Sequence, residues 1–153
     1  MIDELMKSLD RIVERTPWQL HQEGTDYEGA VRAQTREFHL FDTTAREISN
    51  MLEIRCRTEM LHDALIATLA IRRYERDKAV LPDSLELLAD QGYLRSVPID
   101  PYSGQPFIYR QTGTAFTLYS VGRDFDDDDG TPRTGSPDRS RRDDIFWPIA
   151  AQP

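Results

Sequence analysis

The chain has 153 residues, a net charge of −8, 39% hydrophobic residues and 30% charged ones. At this length one domain, with or without a helical extension, buries roughly 68–70% of its unfolded surface, so a true core is within reach. Both halves are acidic, which excludes a phosphate-tracking groove, because such grooves need clustered Lys and Arg to release counterions. Cations are the ligands this surface favours, and the low apolar fraction predicts an elongated, well-solvated molecule.

Residues 2–15 place Ile2, Leu5, Met6, Leu9, Ile12 and Val13 at helical spacing, with Asp3 and Glu4 at the positive end of the helix dipole. Thr16-Pro17 ends this helix, and residues 18–29, with two glycines and mixed polarity, read as a connector. From Tyr27 to Lys78 there is no proline, and Gly29 is the only glycine. Ile48, Met51, Leu52, Met60, Leu61, Leu65, Ile66, Leu69 and Ile71 recur there at helical intervals, as one long helix or two with a break near residues 39–44. Cys56 lies in this stretch. As a lone cysteine it excludes an internal disulfide or a multi-cysteine zinc site and reads as a partly buried thiol.

Pro82 is placed in the first turn of a short helix through Ser84, Leu85, Leu87, Leu88 and Ala89, which Gly92 ends. Val97-Pro98 and Asp100-Pro101 impose extended or turn geometry, because the residue before a proline is pushed out of the α region. Residues 107–109 and 115–121 are β-branched and aromatic. Residues 111–114, with Gly113, read as the turn of a hairpin between them. Ile145, Phe146 and Trp147 are a candidate third strand. Residues 124–144 are too polar to bury and too long for an ordinary turn.

The motifs run in a definite order. Tyr74-Glu75-Arg76-Asp77 closes the long helix; Leu81-Pro82, Ser84-Leu85 and Leu88 form the short one; Gly92-Tyr93-Leu94, Val97-Pro98, Asp100-Pro101, Gly104, Pro106 and Tyr109 follow. Leu118-Tyr119-Ser120-Val121-Gly122 with Asp124, an acidic loop, and Asp143-Asp144-Ile145 complete the series. Over residues 61–147 this series resembles the C-terminal soluble domain of the major pseudopilins of type II secretion. The resemblance implies an α+β fold with a pilin-like head: N-terminal helices, a long helical spine, and a small antiparallel sheet packed on it. It divides the chain into an N-terminal helical region, 1–60, and a pseudopilin-like domain, 61–153, carrying the acidic loop 124–144. Tyr93, Leu94, Val97, Phe107, Tyr109, Phe116, Leu118 and Ile145 are the residues expected to pack sheet against helix.

The resemblance also implies a calcium ion pinning the loop after the second strand. Its pattern maps onto the Asp124 carboxylate, a backbone carbonyl near Val121, and a carboxylate from Asp143 or Asp144, with Asp126, Asp127 and Asp128 as further candidates. Calcium takes six to eight oxygens in flexible geometry, and crowded carboxylates repel unless solvated, protonated or metallated. Arg133, Arg139, Arg141 and Arg142 offer the alternative of internal pairing. An EF-hand is excluded, because with Gly130 at the sixth loop position Phe125 falls on the first and Ser136 on the twelfth.

His21, His39 and His62 stand in no zinc-protease pattern, and no nucleophile elbow or phosphate loop is present. With no catalytic pattern set against it, the resemblance implies a noncatalytic function: a structural or assembly protein of the bacterial envelope that engages protein partners, or its own copies, through its N-terminal helices. The alternatives are an accessory subunit that docks a partner and, further off, a metal-dependent enzyme, for which no general base is evident. No window approaches the roughly 20 apolar residues of a membrane span, and the first 20 residues do not read as a signal peptide. A periplasmic or envelope location thus presupposes a targeting segment outside this sequence.

Overall fold

The computed structural model describes residues 2–35, 45–127, 129 and 145–147. The fold is α+β, with helices preceding a small antiparallel sheet. The chain divides into two compact units, Met1–Glu59 and Met60–Pro153.

In the first unit α1 spans Ile2–Val13. Residues 18–29 are not a plain connector, because α2, Pro17–Gln22, occupies their first part. Thr16 Oγ1 accepts the Gln19 N–H at 3.3 Å, Gln19 Oε1 accepts the Thr16 N–H at 2.9 Å, and Pro17 sits in the first turn, where its missing N–H does no harm. The same Thr-Pro pair that ends one helix opens the next. α3, Tyr27–Thr35, follows Asp26, whose carboxylate accepts the Gly29 N–H at 2.7 Å. Ile12, Leu20, Tyr27, Val31, Ala45 and Leu52 form this unit's core. The Tyr27 hydroxyl donates to the Arg15 carbonyl, and burial, reinforced by Cys56, pushes its pKa up to about 12. Cys56 is buried and in no disulfide.

α4 spans Ala45–Lys78, and the expected choice between one long helix and two with a break near residues 39–44 falls on residues outside those described. In the second unit α4 buries Met60, Ala64, Ala67, Ile71 and Tyr74, at alternating steps of four and three that define one helical face. α5, Leu85–Asp90, starts one turn later than the leucine spacing suggests, because Ser84 is its N-cap and accepts the Leu87 N–H at 3.3 Å. Pro82 therefore precedes the helix, and its carbonyl accepts the Tyr109 hydroxyl at 2.9 Å and the Gln111 side-chain amide. Gly92, at φ 74°, ends α5 in a Schellman arrangement: its N–H reaches the Ala89 carbonyl, and the Tyr93 N–H reaches that of Leu88.

The sheet has the order β1-β2-β3, with β1 Ile108–Thr112, β2 Ala115–Ser120 and β3 Ile145–Trp147, both pairings antiparallel. The candidate third strand is thus a strand. Thr112 pairs with Ala115, which tightens the expected four-residue turn to Gly113-Thr114, with Gly113 at φ 62° supplying the left-handed position a two-residue hairpin demands. Leu94, Phe107, Phe116 and Leu118 join the α4 face in one core, with Tyr93, Val97 and Tyr109 half-buried around it. Each fully buried large side chain there contributes about 1.5–3 kcal/mol.

Candidate functional site

Asp100 is 1% exposed, although it sits in a proline-bounded crossing segment. Its Oδ1 accepts the Tyr102 N–H at 2.9 Å and the Ser120 hydroxyl at 2.8 Å; its Oδ2 accepts the Val121 N–H at 3.0 Å and the Ser103 hydroxyl at 3.3 Å. Ser120 Oγ in turn accepts the Gly122 N–H at 3.1 Å. One carboxylate thereby ties the turn after Pro98 to the end of β2. Burial pushes its pKa above the ordinary carboxylate value, and the four hydrogen bonds pull it back only in part.

The acidic turn begins where this clamp ends. Val121, proposed through its carbonyl as a calcium ligand, is buried, and its N–H is held by Asp100. Asp124 is half-buried and accepts the Asp126 N–H at 3.4 Å, while Asp126 is exposed. Phe125 takes a left-handed φ of 63°, strained for a bulky residue, and packs its ring edge-on to Tyr102 at 6.2 Å. Asp127 accepts the Tyr119 hydroxyl at 3.0 Å and lies 3.7 Å from Arg110, which also donates to the Asp129 carboxylate at 2.9 Å and the Asp129 carbonyl at 3.1 Å. Arg110 stacks over the Tyr119 ring at 5.4 Å, and Asp129 raises its pKa further. Asp127 and Asp129 therefore face an arginine from β1, whereas Asp124 holds the backbone of the turn. Among the described residues no three His, Cys, Asp or Glu side chains form a metal-holding group. Asp128, Asp143 and Asp144, and the arginines 133, 139, 141 and 142, lie outside the described residues.

A different surface stands out on α4. Met51 (70% exposed), Ile54 (65%), Leu61, Leu65 (54%), Ile66 and Leu69 (60%) all face outward. At 3.6 residues per turn, Leu61, Leu65 and Leu69 of the second unit fall in a sector roughly 80° wide, turned away from the buried face. α4 is thus apolar on two sides. Arg72 and Arg76 continue this sector toward the C-terminal end of α4, both exposed. His62 and Asp63 form an exposed neighbouring pair at 3.1 Å on the same helix.

Helical recurrence alone merges these two faces. The distinguishing signal is the run of small residues, Ala64, Ala67 and Ala70, which marks the inner face and leaves the larger Leu61, Leu65 and Leu69 outside. No helix of the described residues is long and apolar enough to cross a membrane. The chain matches no protein-family model, no curated protein and no solved structure.

Proposed function

We propose that the chain is a noncatalytic structural or assembly protein of the bacterial envelope, with a head of the type II secretion pseudopilin kind. The observation that carries the reading is the second apolar face of α4. Leu61, Leu65, Ile66 and Leu69 are held at the surface of the part of α4 whose other face already fills the second unit's core. Such a contiguous patch on a charged protein marks a protein-contact surface. The order of long helix, short helix and antiparallel sheet supports the head assignment, as does the motif series from Tyr74 to Ile145.

A photo-crosslinking residue at position 65 in cells tests the reading, with position 86 on α5 as control. Adducts of defined mass at 65 but not at 86 are expected. Equal adducts at both, or none, overturn it. An adduct that contains one other protein and never forms higher species favours the accessory-subunit alternative.

Calcium binding is a separable part of the proposal. A ligand that binds only the native state raises the melting temperature by mass action. A rise at millimolar calcium that Asp124→Ala abolishes supports it; no shift overturns it and leaves the assembly reading standing.

A further inference from the structure

We infer that the acidic turn is a salt-sensitive strap: bridged to Arg110, it closes over Tyr119 on the outer face of the sheet, and it opens without unfolding of the second unit. The inference goes beyond the assembly reading and does not rest on it.

The placement of Tyr119 follows from the strand register, because successive side chains alternate between the two faces of a sheet. On β2, Phe116 and Leu118 lie in the core that includes the α4 face. Tyr119 therefore stands on the opposite face, with Ile108 directly across on β1 and Arg110 on the diagonal. Arg110, Thr112 and Ala115 of that face are exposed, yet Tyr119 has no exposed surface. Its cover includes the Arg110 guanidinium, 5.4 Å from the ring centre, and Asp127 of the acidic turn, which accepts its hydroxyl at 3.0 Å.

The strap has a firm root and a labile tip. At the root the Val121 N–H is held by the buried Asp100, and Phe125 packs against Tyr102. Beyond Phe125 the turn meets Arg110 through the Asp127 carboxylate at 3.7 Å, the Asp129 carboxylate at 2.9 Å and the Asp129 carbonyl at 3.1 Å. Arg110 is the only charged residue in the three strands, so the bridge to the sheet hangs on one guanidinium. The Arg110, Asp127 and Asp129 side chains are 44%, 39% and 85% exposed. Ion pairs this exposed contribute little and weaken in salt, so the tip lifts while the root stays. Arg123, Asp124 and Asp126, the other described charges of the turn, lie on the strap itself. Their interactions with its own aspartates are present open or closed, which leaves the bridge to Arg110 as the contact that salt selectively loosens. Opening uncovers the Tyr119 ring beside Ile108, on the face of the sheet turned away from the core.

Acetylation of tyrosine hydroxyls by N-acetylimidazole, mapped on the full chain by peptide mass spectrometry, reads the strap directly. Tyr102, buried in the core, is the internal control. Tyr119 is expected to be protected at about 0.01 M salt and to react several-fold faster at about 1 M, as the screening length falls from about 30 Å to about 3 Å. Tyr102 is expected to stay protected throughout. Asp129→Ala removes a charge partner of Arg110 without touching Tyr119; it is expected to raise the low-salt reactivity and leave the melting temperature unchanged. In Arg110→Gln, Tyr119 is expected to react fast at both salt concentrations. Protection of Tyr119 that persists through both 1 M salt and Asp129→Ala overturns the inference. Reaction of Tyr102 in step with Tyr119 overturns it as well, because exposure would then come from unfolding of the unit. A salt dependence that survives in Arg110→Gln places the effect outside the bridge and has the same consequence.

Discussion

Asp100 and the aspartates of the acidic turn carry the same functional group in opposite settings. Asp100 is isolated in sequence, buried, and accepts four hydrogen bonds, two of them from the end of β2. Asp127 and Asp129 are crowded, exposed, and answered by one arginine and one tyrosine hydroxyl. The density of acidic residues along the chain therefore reports solvation, while the carboxylate that organises the head is the solitary one. A buried acceptor with four donors is costly to remove because each donor would be stranded, whereas a solvated ion pair exchanges with water at little loss.

Graded substitutions would break or sharpen this contrast. The largest effect is expected for Asp100→Ala, which strands the Tyr102 and Val121 N–H groups and destabilises the second unit by roughly 3 kcal/mol in urea melts. Next comes Phe125→Ala, at about 1–2 kcal/mol, since lost packing against Tyr102 is only partly offset by a smaller side chain at φ 63°. A pH series isolates the charge of Asp100. Because burial raises its folded-state pKa above 3.8, its contribution to stability is fullest with the carboxyl protonated and declines as pH rises through the folded value. Asp100→Asn, neutral throughout, is expected to lose that slope above pH 3.8, although it is less stable overall because its NH₂ group faces N–H donors. Smallest of all are Arg110→Ala and Asp126→Ala, expected to leave the melting temperature nearly unchanged. A large loss from either would mean that the acidic turn, too, holds the fold.

The elements legible in the sequence are those set by neighbouring residues. α1, the Gly113 hairpin and the Gly92 stop follow from spacing and turn chemistry within a few positions, and the third strand follows from an apolar run that succeeds a polar segment. α2 was equally local, in the Thr16 and Gln19 capping pair, but a proline after a threonine serves both as a stop and as a start. The role of Asp100 was not legible, because Ser120 and Val121 lie 20 and 21 positions away and only the folded crossing segment brings them to it. Arg110 reaches Asp129 across 19 positions for the same reason. The outer face of α4 was half legible: its residues recur at helical spacing, but that spacing does not say which of two apolar faces is covered.

Sedimentation velocity over a range of concentrations, comparing the native sequence with Leu65→Glu and Asp127→Ala, tests most directly whether the functional surface is the face of α4 or the acidic turn. The account predicts concentration-dependent association that Leu65→Glu abolishes without changing the melting temperature, and that Asp127→Ala leaves intact. Association unaffected by Leu65→Glu but lost in Asp127→Ala would contradict it.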